Sequence, residues 1–151
     1  MDIVVTTPKS EMANAAKEAA ECIADGTGGY FRALGERMPK TKSGDRIFYV
    51  EDGYVRGFCI VDMFGARYEN MKRCDTTGRA WRTTVVVSMY ASTWQWIKPI
   101  PMRGFQGWRY FTAPPDMQIV GNWLDPKPPT PGEPAPPKVT VPQTTELGFT
   151  I

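Results

Sequence analysis

Histidine is absent from the 151 residues. That excludes any Ser-His-Asp or Cys-His catalytic unit and any histidine-containing zinc site built from this chain alone. Cysteine is scarce: Cys22, Cys59 and Cys74 lie far apart and form no C-x-x-C pair. Neither a metal knuckle nor a disulfide framework is suggested, and a reduced, cytoplasmic setting is expected. No apolar run approaches the ~18 residues of a membrane span, and residues 1–7 carry only a short apolar stretch with Asp2 inside it, so a soluble, unexported protein is expected. Neither sign of charge dominates, because 18 Lys+Arg face 16 Asp+Glu for a formal charge of +2. Net charge therefore names no partner. No metal, cofactor or membrane is called for.

What is present is ordinary globular composition, 42% hydrophobic and 23% charged, at a length that suits one domain with its own core. The β-branched Ile3, Val4 and Val5 read as a first strand, and Thr7-Pro8 reads as a helix cap followed by proline at the first helical position. Over residues 10–24, Met12, Ala16, Ala19, Ala20 and Ile23 recur at three- and four-residue spacing while Glu11, Lys17, Glu18 and Glu21 are free to face water, which predicts an amphipathic helix. Residues 28–34, opened by Gly28-Gly29, read as a tight turn or short helix. Residues 46–51 and 54–63 flank Asp52-Gly53, which supplies positive φ at both central positions of a type I′ turn, and predict a β-hairpin. Residues 67–77 read as an exposed loop, 83–91 as a strand, and 109–112 and 118–123 as further strands. Eight of the seventeen residues in 126–142 are proline, so that segment should be an extended tail to a domain spanning 1–125. There is no internal repeat. A strand, a helix and then antiparallel strands predict an α+β domain around a strongly bent or barrel-like antiparallel sheet.

Charge and aromatics are unevenly placed. Residues 67–109 hold eight Lys/Arg against two acids, a local excess of six, and four of the five tryptophans. Trp81-Arg82, Trp94-x-Trp96-x-Lys98 and the stretch from Arg103 to Trp108-Arg109 set cations beside indoles repeatedly. Aromatic faces stack on bases at ~1–3 kcal/mol each, and arginine or lysine neutralises phosphate. The bland alternative for any one tryptophan is core filling, the commoner role in a small sheet domain. Arg37, Lys40, Lys42 and Arg46 form a second basic cluster that can extend a phosphate path. Glu51 and Asp52, adjacent in a hairpin, should point apart, which disfavours a paired acid/base site. Gly28-Gly29 has no G-x-G-x-x-G or Walker lysine beside it, so a nucleotide-binding loop is not indicated. The prolines of the tail can dock an aromatic groove in a protein partner or serve as a spacer.

Several of these features together resemble the PUA-like superfamily, especially its EVE, YTH and ASCH branches. Ile3-Val4-Val5-Thr6-Thr7-Pro8 before a helix is similar to the first strand and helix of an EVE-type domain. Lys42-Ser43-Gly44-Asp45-Arg46-Ile47-Phe48-Tyr49-Val50, followed by Val55-Arg56-Gly57-Phe58-Cys59-Ile60-Val61, resembles that family's Gly-Asp strand and glycine-containing return strand. Gly29-Tyr30-Phe31 is similar to the turn before it, and Trp96-Ile97-Lys98-Pro99-Ile100-Pro101-Met102 to the late proline-bearing strand exit. The resemblance spans residues 1–124. It implies a small curved β-barrel with flanking helices and a pocket holding an RNA segment or a modified, extruded base among aromatic side chains. Tyr30 and the tryptophans after Thr84 become candidates for that pocket. ASCH-type amidohydrolases use a lysine, a threonine and a glutamate in a G-x-K-type motif, whose spacing Gly35-Glu36-Arg37-Met38-Pro39-Lys40 does not reproduce.

The function expected from sequence is thus non-catalytic binding of RNA or of a modified base in exposed DNA. Trp81, Trp94, Trp96 or Trp108 would stack, Arg82, Lys98, Arg103 and Arg109 would meet phosphate or base edges, and the resemblance adds Tyr30 to the binding residues. An amidohydrolase or nuclease acting on a modified base or nucleoside, and a protein-interaction module working through the proline-rich tail, are the alternatives.

Overall fold

Three consecutive β-branched residues suit a strand covered on both sides, and Ile3, Val4 and Val5 form such a strand, β1 (Ile3–Thr6). Ile3 and Val5 enter one hydrophobic cluster and Val4 the other, so the two clusters occupy opposite faces of the sheet. The structure, a computed structural model, describes residues 1–8, 14–26, 28–65 and 85–132. The remaining elements are α1 (Ala15–Ala24), β2 (Gly29–Gly35), β3 (Arg46–Glu51), β4 (Tyr54–Gly65), β5 (Val85–Pro101), β6 (Trp108–Tyr110) and β7 (Ile119–Asn122).

The sheet runs β2-β5-β4-β3-β1-β6, with β7 also paired to β5. It is a strongly curled half-barrel, accompanied among the described residues by one short helix. Curling has a local cause. The seventeen-residue β5 shifts register against β4 at three places, between Val55/Gly57, Phe58/Ile60 and Val61/Met63. Each bulge bends the strand and increases its twist. The first half of β5 pairs with β2 and its second half with β7. All pairs are antiparallel except β1 with β3, a parallel pair made possible because α1 and β2 lie between them in the chain.

The cap of α1 is Asn14, whose side chain accepts from Ala16 N and Lys17 N at 2.9 and 3.2 Å, and not Thr7. Lys17 and Glu21 face water as expected, but Glu18 is buried. Residues 29–35 form a strand rather than a turn or helix, because they complete the ladder of β5. Only one helix, rather than flanking helices, occurs among the described residues. The hairpin forms with Asp52 at φ 53° and Gly53 at φ 81°. The loop expected over 67–77 lies outside the described residues.

Ala15, Ala16, Ala19 and Cys22 bring α1 against one face of the sheet, packed with Tyr49, Trp94, Trp96 and Trp108. On the other face Val4, Phe48, Val50, Val55, Phe58 and Ile97 are covered by Met102, Phe105, Phe111 and Met117 from the chain beyond β5. At Gly57 there is no room for a side chain: a Cβ there would lie 2.6 Å from Cζ2 of Trp94 and would also strike the Gln95 carbonyl.

The approach to β3 is fixed by Asp45, which accepts from the Met1 ammonium at 2.6 Å and from Lys42 N at 2.8 Å. The ammonium, then the Lys42 N–H, hold its carboxyl below the usual aspartate value of 3.8. A depressed pKa contributes stability above the unfolded value and loses it as pH falls through the folded one. An NMR titration should therefore place the Asp45 midpoint below 3.8, and Asp45→Asn should flatten that part of the acid limb of a stability-pH curve. A midpoint at or above the ordinary value contradicts this.

Residues 126–130 are neither helix nor strand. They are nonetheless held on the body. Trp96 Nε1 donates to Asp125 O at 3.1 Å, Arg56 donates to Pro128 O and Thr130 Oγ1, and Lys127 reaches Glu51. Residues 133–151 lie outside the described residues.

Candidate functional site

The tryptophans expected to stack on bases are core residues. Trp94, Trp96 and Trp108 are 0%, 1% and 3% exposed. The Trp94 ring lies 5.3 Å from Tyr49 and edge-on to Trp96 at 5.3 Å. Trp108 donates Nε1 to Arg37 O at 3.0 Å and is covered by the Arg37 guanidinium at 3.8 Å from its centroid. Rings so enclosed offer no face to a base, which corrects their assignment. Trp81 and Arg82 lie outside the described residues. Tyr30 lies on β2, paired with Met89, and its side chain is outside the described part.

Lys98, Arg103 and Arg109 are exposed, and Arg109 lies away from the indoles. Trp108 and Arg109 are successive residues of β6 and so take opposite faces. Arg109 pairs across with Val4, on the second face, and its guanidinium lies 4.2 Å over the Phe105 ring. Adjacency in sequence had set side by side groups that the pleat separates.

A cleft forms elsewhere, where β1 ends. Thr6, Thr7 and Pro8, residues 50–53 at the hairpin turn, and Arg103 and Gly104 enclose about 510 Å³. Its walls follow from the topology. Thr7 N donates to Val50 O at 2.9 Å, extending the parallel β1–β3 pair into the turn. Met102 N donates to Gly53 O at 2.9 Å and Phe105 N to Thr6 Oγ1 at 3.0 Å, which brings the segment after β5 across. Gly104 allows that approach, since a Cβ would sit 3.1 Å from Thr6 Cγ2. Arg32 supports Thr6 from behind through its carbonyl at 2.6 Å.

Glu51 is the chemical centre of the cleft wall and is 2% exposed. Its Oε2 accepts from Ala15 N at 2.6 Å and from Thr7 Oγ1 at 3.3 Å. A carboxylate on the first N–H of α1 satisfies an orphan donor and faces the positive end of the helix dipole. Its Oε1 accepts no directed hydrogen bond, but Lys127 Nζ lies 3.2 Å away as an ion pair. Lys127 is also 3.5 Å from Asp52 Oδ2. The adjacent carboxylates do point apart, Glu51 inward and Asp52 into solvent, yet one ammonium reaches both. Thr6, Thr7, Glu51, Gly104 and Lys127 were not singled out as binding residues by the sequence. The available signal was Glu51 itself, an acid ending the apolar run Ile47-Phe48-Tyr49-Val50 at the hairpin turn.

Among the described residues there is no group of three His, Cys, Asp or Glu placed to hold a metal ion, and no helix long and apolar enough to cross a membrane. No protein-family model, no curated protein and no solved structure matches the chain.

Proposed function

We propose that the chain binds single-stranded nucleic acid, RNA or exposed DNA, and takes one base, modified or extruded, into the cleft between β1, the β3–β4 turn and Arg103-Gly104. The observation that carries this is the cleft itself, about 510 Å³ with Arg103 in its wall, within the range of pockets that enclose small ligands. Arg103 and the Arg109–Phe105 pair supply exposed cation and guanidinium plane on the chain's 103–109 stretch, which suits phosphate and base stacking. The Thr6 hydroxyl and the exposed Asp52 carboxylate suit the polar edge of a base, while Glu51, engaged with Ala15, Thr7 and Lys127, holds the wall in place. The buried indoles act at one remove, by holding the sheet that carries these groups.

Fluorescence anisotropy of a labelled single-stranded oligonucleotide at several salt concentrations tests the proposal. Arg103→Ala and Arg109→Ala should each weaken binding by roughly 3- to 10-fold and each reduce the salt slope by about 1. Absence of binding at low salt, or affinity indifferent to both changes, sinks it.

A second reading, hydrolysis of an amide on a modified base or nucleoside, is favoured by one arrangement. Thr7 and Glu51 line the cleft 3.3 Å apart and Lys127, outside the lining, lies 3.2 Å from Glu51, the three residue types that the sequence resemblance associates with amidohydrolases. There a carboxylate would take the proton of an attacking hydroxyl or water and an ammonium would stabilise the oxyanion. Release of product from acylated nucleosides by the wild type, abolished by Glu51→Gln, would establish it. Binding without product leaves the first reading standing.

A further inference from the structure

Arg56 is 1% exposed and forms no ion pair among the described residues. Its guanidinium donates from Nε to Glu51 O at 3.4 Å, from Nη1 to Pro128 O at 3.1 Å and from Nη2 to Thr130 Oγ1 at 2.6 Å. Two of these three acceptors come from the proline-rich segment. A buried guanidinium is tolerated only where its donors are satisfied, so the hairpin is complete only with that segment in place. Lys127 adds a second anchor, on Glu51 and Asp52. Tyr54 supplies an aromatic face 5.5 Å from the Arg56 guanidinium.

We propose that this corner of the β3–β4 hairpin is a recognition site for an extended, proline-rich peptide bearing a lysine, and that Lys127-Pro128-Pro129-Thr130 is its resident ligand in cis. The spacing fits the chemistry. A polyproline II segment has three residues per turn, which puts Lys127 and Thr130 on one face, and these are the two side chains that meet the hairpin. Proline at 128 and 129 presets the backbone and removes two N–H groups that docking would otherwise have to satisfy, leaving the Pro128 carbonyl for Arg56. The lysine is read by a carboxylate pair, and the carbonyl and hydroxyl beyond it by one guanidinium fork. The site adjoins the cleft and shares Glu51 and Asp52 with it, but it needs none of the cations at residues 98–109.

A resident ligand competes at the high effective concentration of its own tether, so the test weakens it first. Full-length Lys127→Gln/Thr130→Val protein and the wild type are titrated with the synthetic peptide Asp-Pro-Lys-Pro-Pro-Thr-Pro, and the backbone amides of residues 51–56 are followed by NMR. The variant should show saturable shifts at those amides with a midpoint at least about tenfold below that of the wild type, as expected once the tethered competitor is weakened. A peptide with glutamate in place of lysine should produce none. Equal midpoints in the two proteins, equal responses to the two peptides, or no response in either protein overturns the proposal. If the double variant does not fold, Thr130→Val alone carries the same comparison.

Discussion

Gly57→Ala is expected to lower the melting temperature by roughly 6–12 °C. The added methyl would stand 2.6 Å from Cζ2 of Trp94 and against the Gln95 carbonyl, while Trp94 is itself fully buried. Neither neighbour yields easily: one is an indole packed between Tyr49 and Trp96, the other is backbone of β5. Overpacking of this kind costs about 3 kcal/mol at the upper end of its usual range, and a domain of this size shifts by about 2–4 °C per kcal/mol. Thermal unfolding followed by circular dichroism measures it directly. A change within about 2 °C would mean that β4 and β5 are not in contact at this point, and the curl of the sheet would need a different explanation.

Glu51 should produce the second large effect, and the two obvious substitutions should differ. Glu51→Ala leaves the first N–H of α1 and the Thr7 hydroxyl without their acceptor and Lys127 without its principal partner. Unmade buried hydrogen bonds cost about 1–3 kcal/mol each. Lys127 is 26% exposed and can rehydrate, so the ion pair adds little. A loss of about 2–4 kcal/mol follows for alanine. Glutamine keeps an oxygen for Ala15 N and Thr7 and gives up mainly the charge, so about 1 kcal/mol is expected. Urea unfolding of the three proteins compares them. Equal losses for alanine and glutamine would show that charge, and not the accepted hydrogen bonds, holds the helix terminus.

What the sequence made legible was what short range controls. Asp52-Gly53 demands positive φ, and both residues have it; the flanking apolar runs then had one way to pair. Ile3, Val4 and Val5 likewise needed only their β-branching. Residues 29–35 were misread because Gly28-Gly29 signals a turn, whereas the strand that follows is held by its partner β5 and not by its own preference. The indoles failed for a related reason. Which face a side chain takes on β5 depends on bulges set by pairing with β4, and nothing near Trp94 or Trp96 in sequence reports those bulges. Burial then overrode the neighbouring charge.

The cleft was hidden because its walls meet over long separations: Thr6 with Phe105, 99 residues apart, and Glu51 with Ala15 and Lys127. The tail showed the same limit from the other side. Residues 126–130 are neither helix nor strand, but the guanidinium that meets them from β4 has no mark in the sequence beyond being Arg56.

NMR shift mapping with a short single-stranded oligonucleotide at low salt tests most directly whether the cleft is where nucleic acid binds. Saturable perturbations are expected at the amides of Thr6, Thr7, Asp52, Gly53 and Gly104, with the indole N–H signals of Trp94, Trp96 and Trp108 unmoved. Perturbations centred on those indoles with the cleft amides silent, or none anywhere, would contradict it.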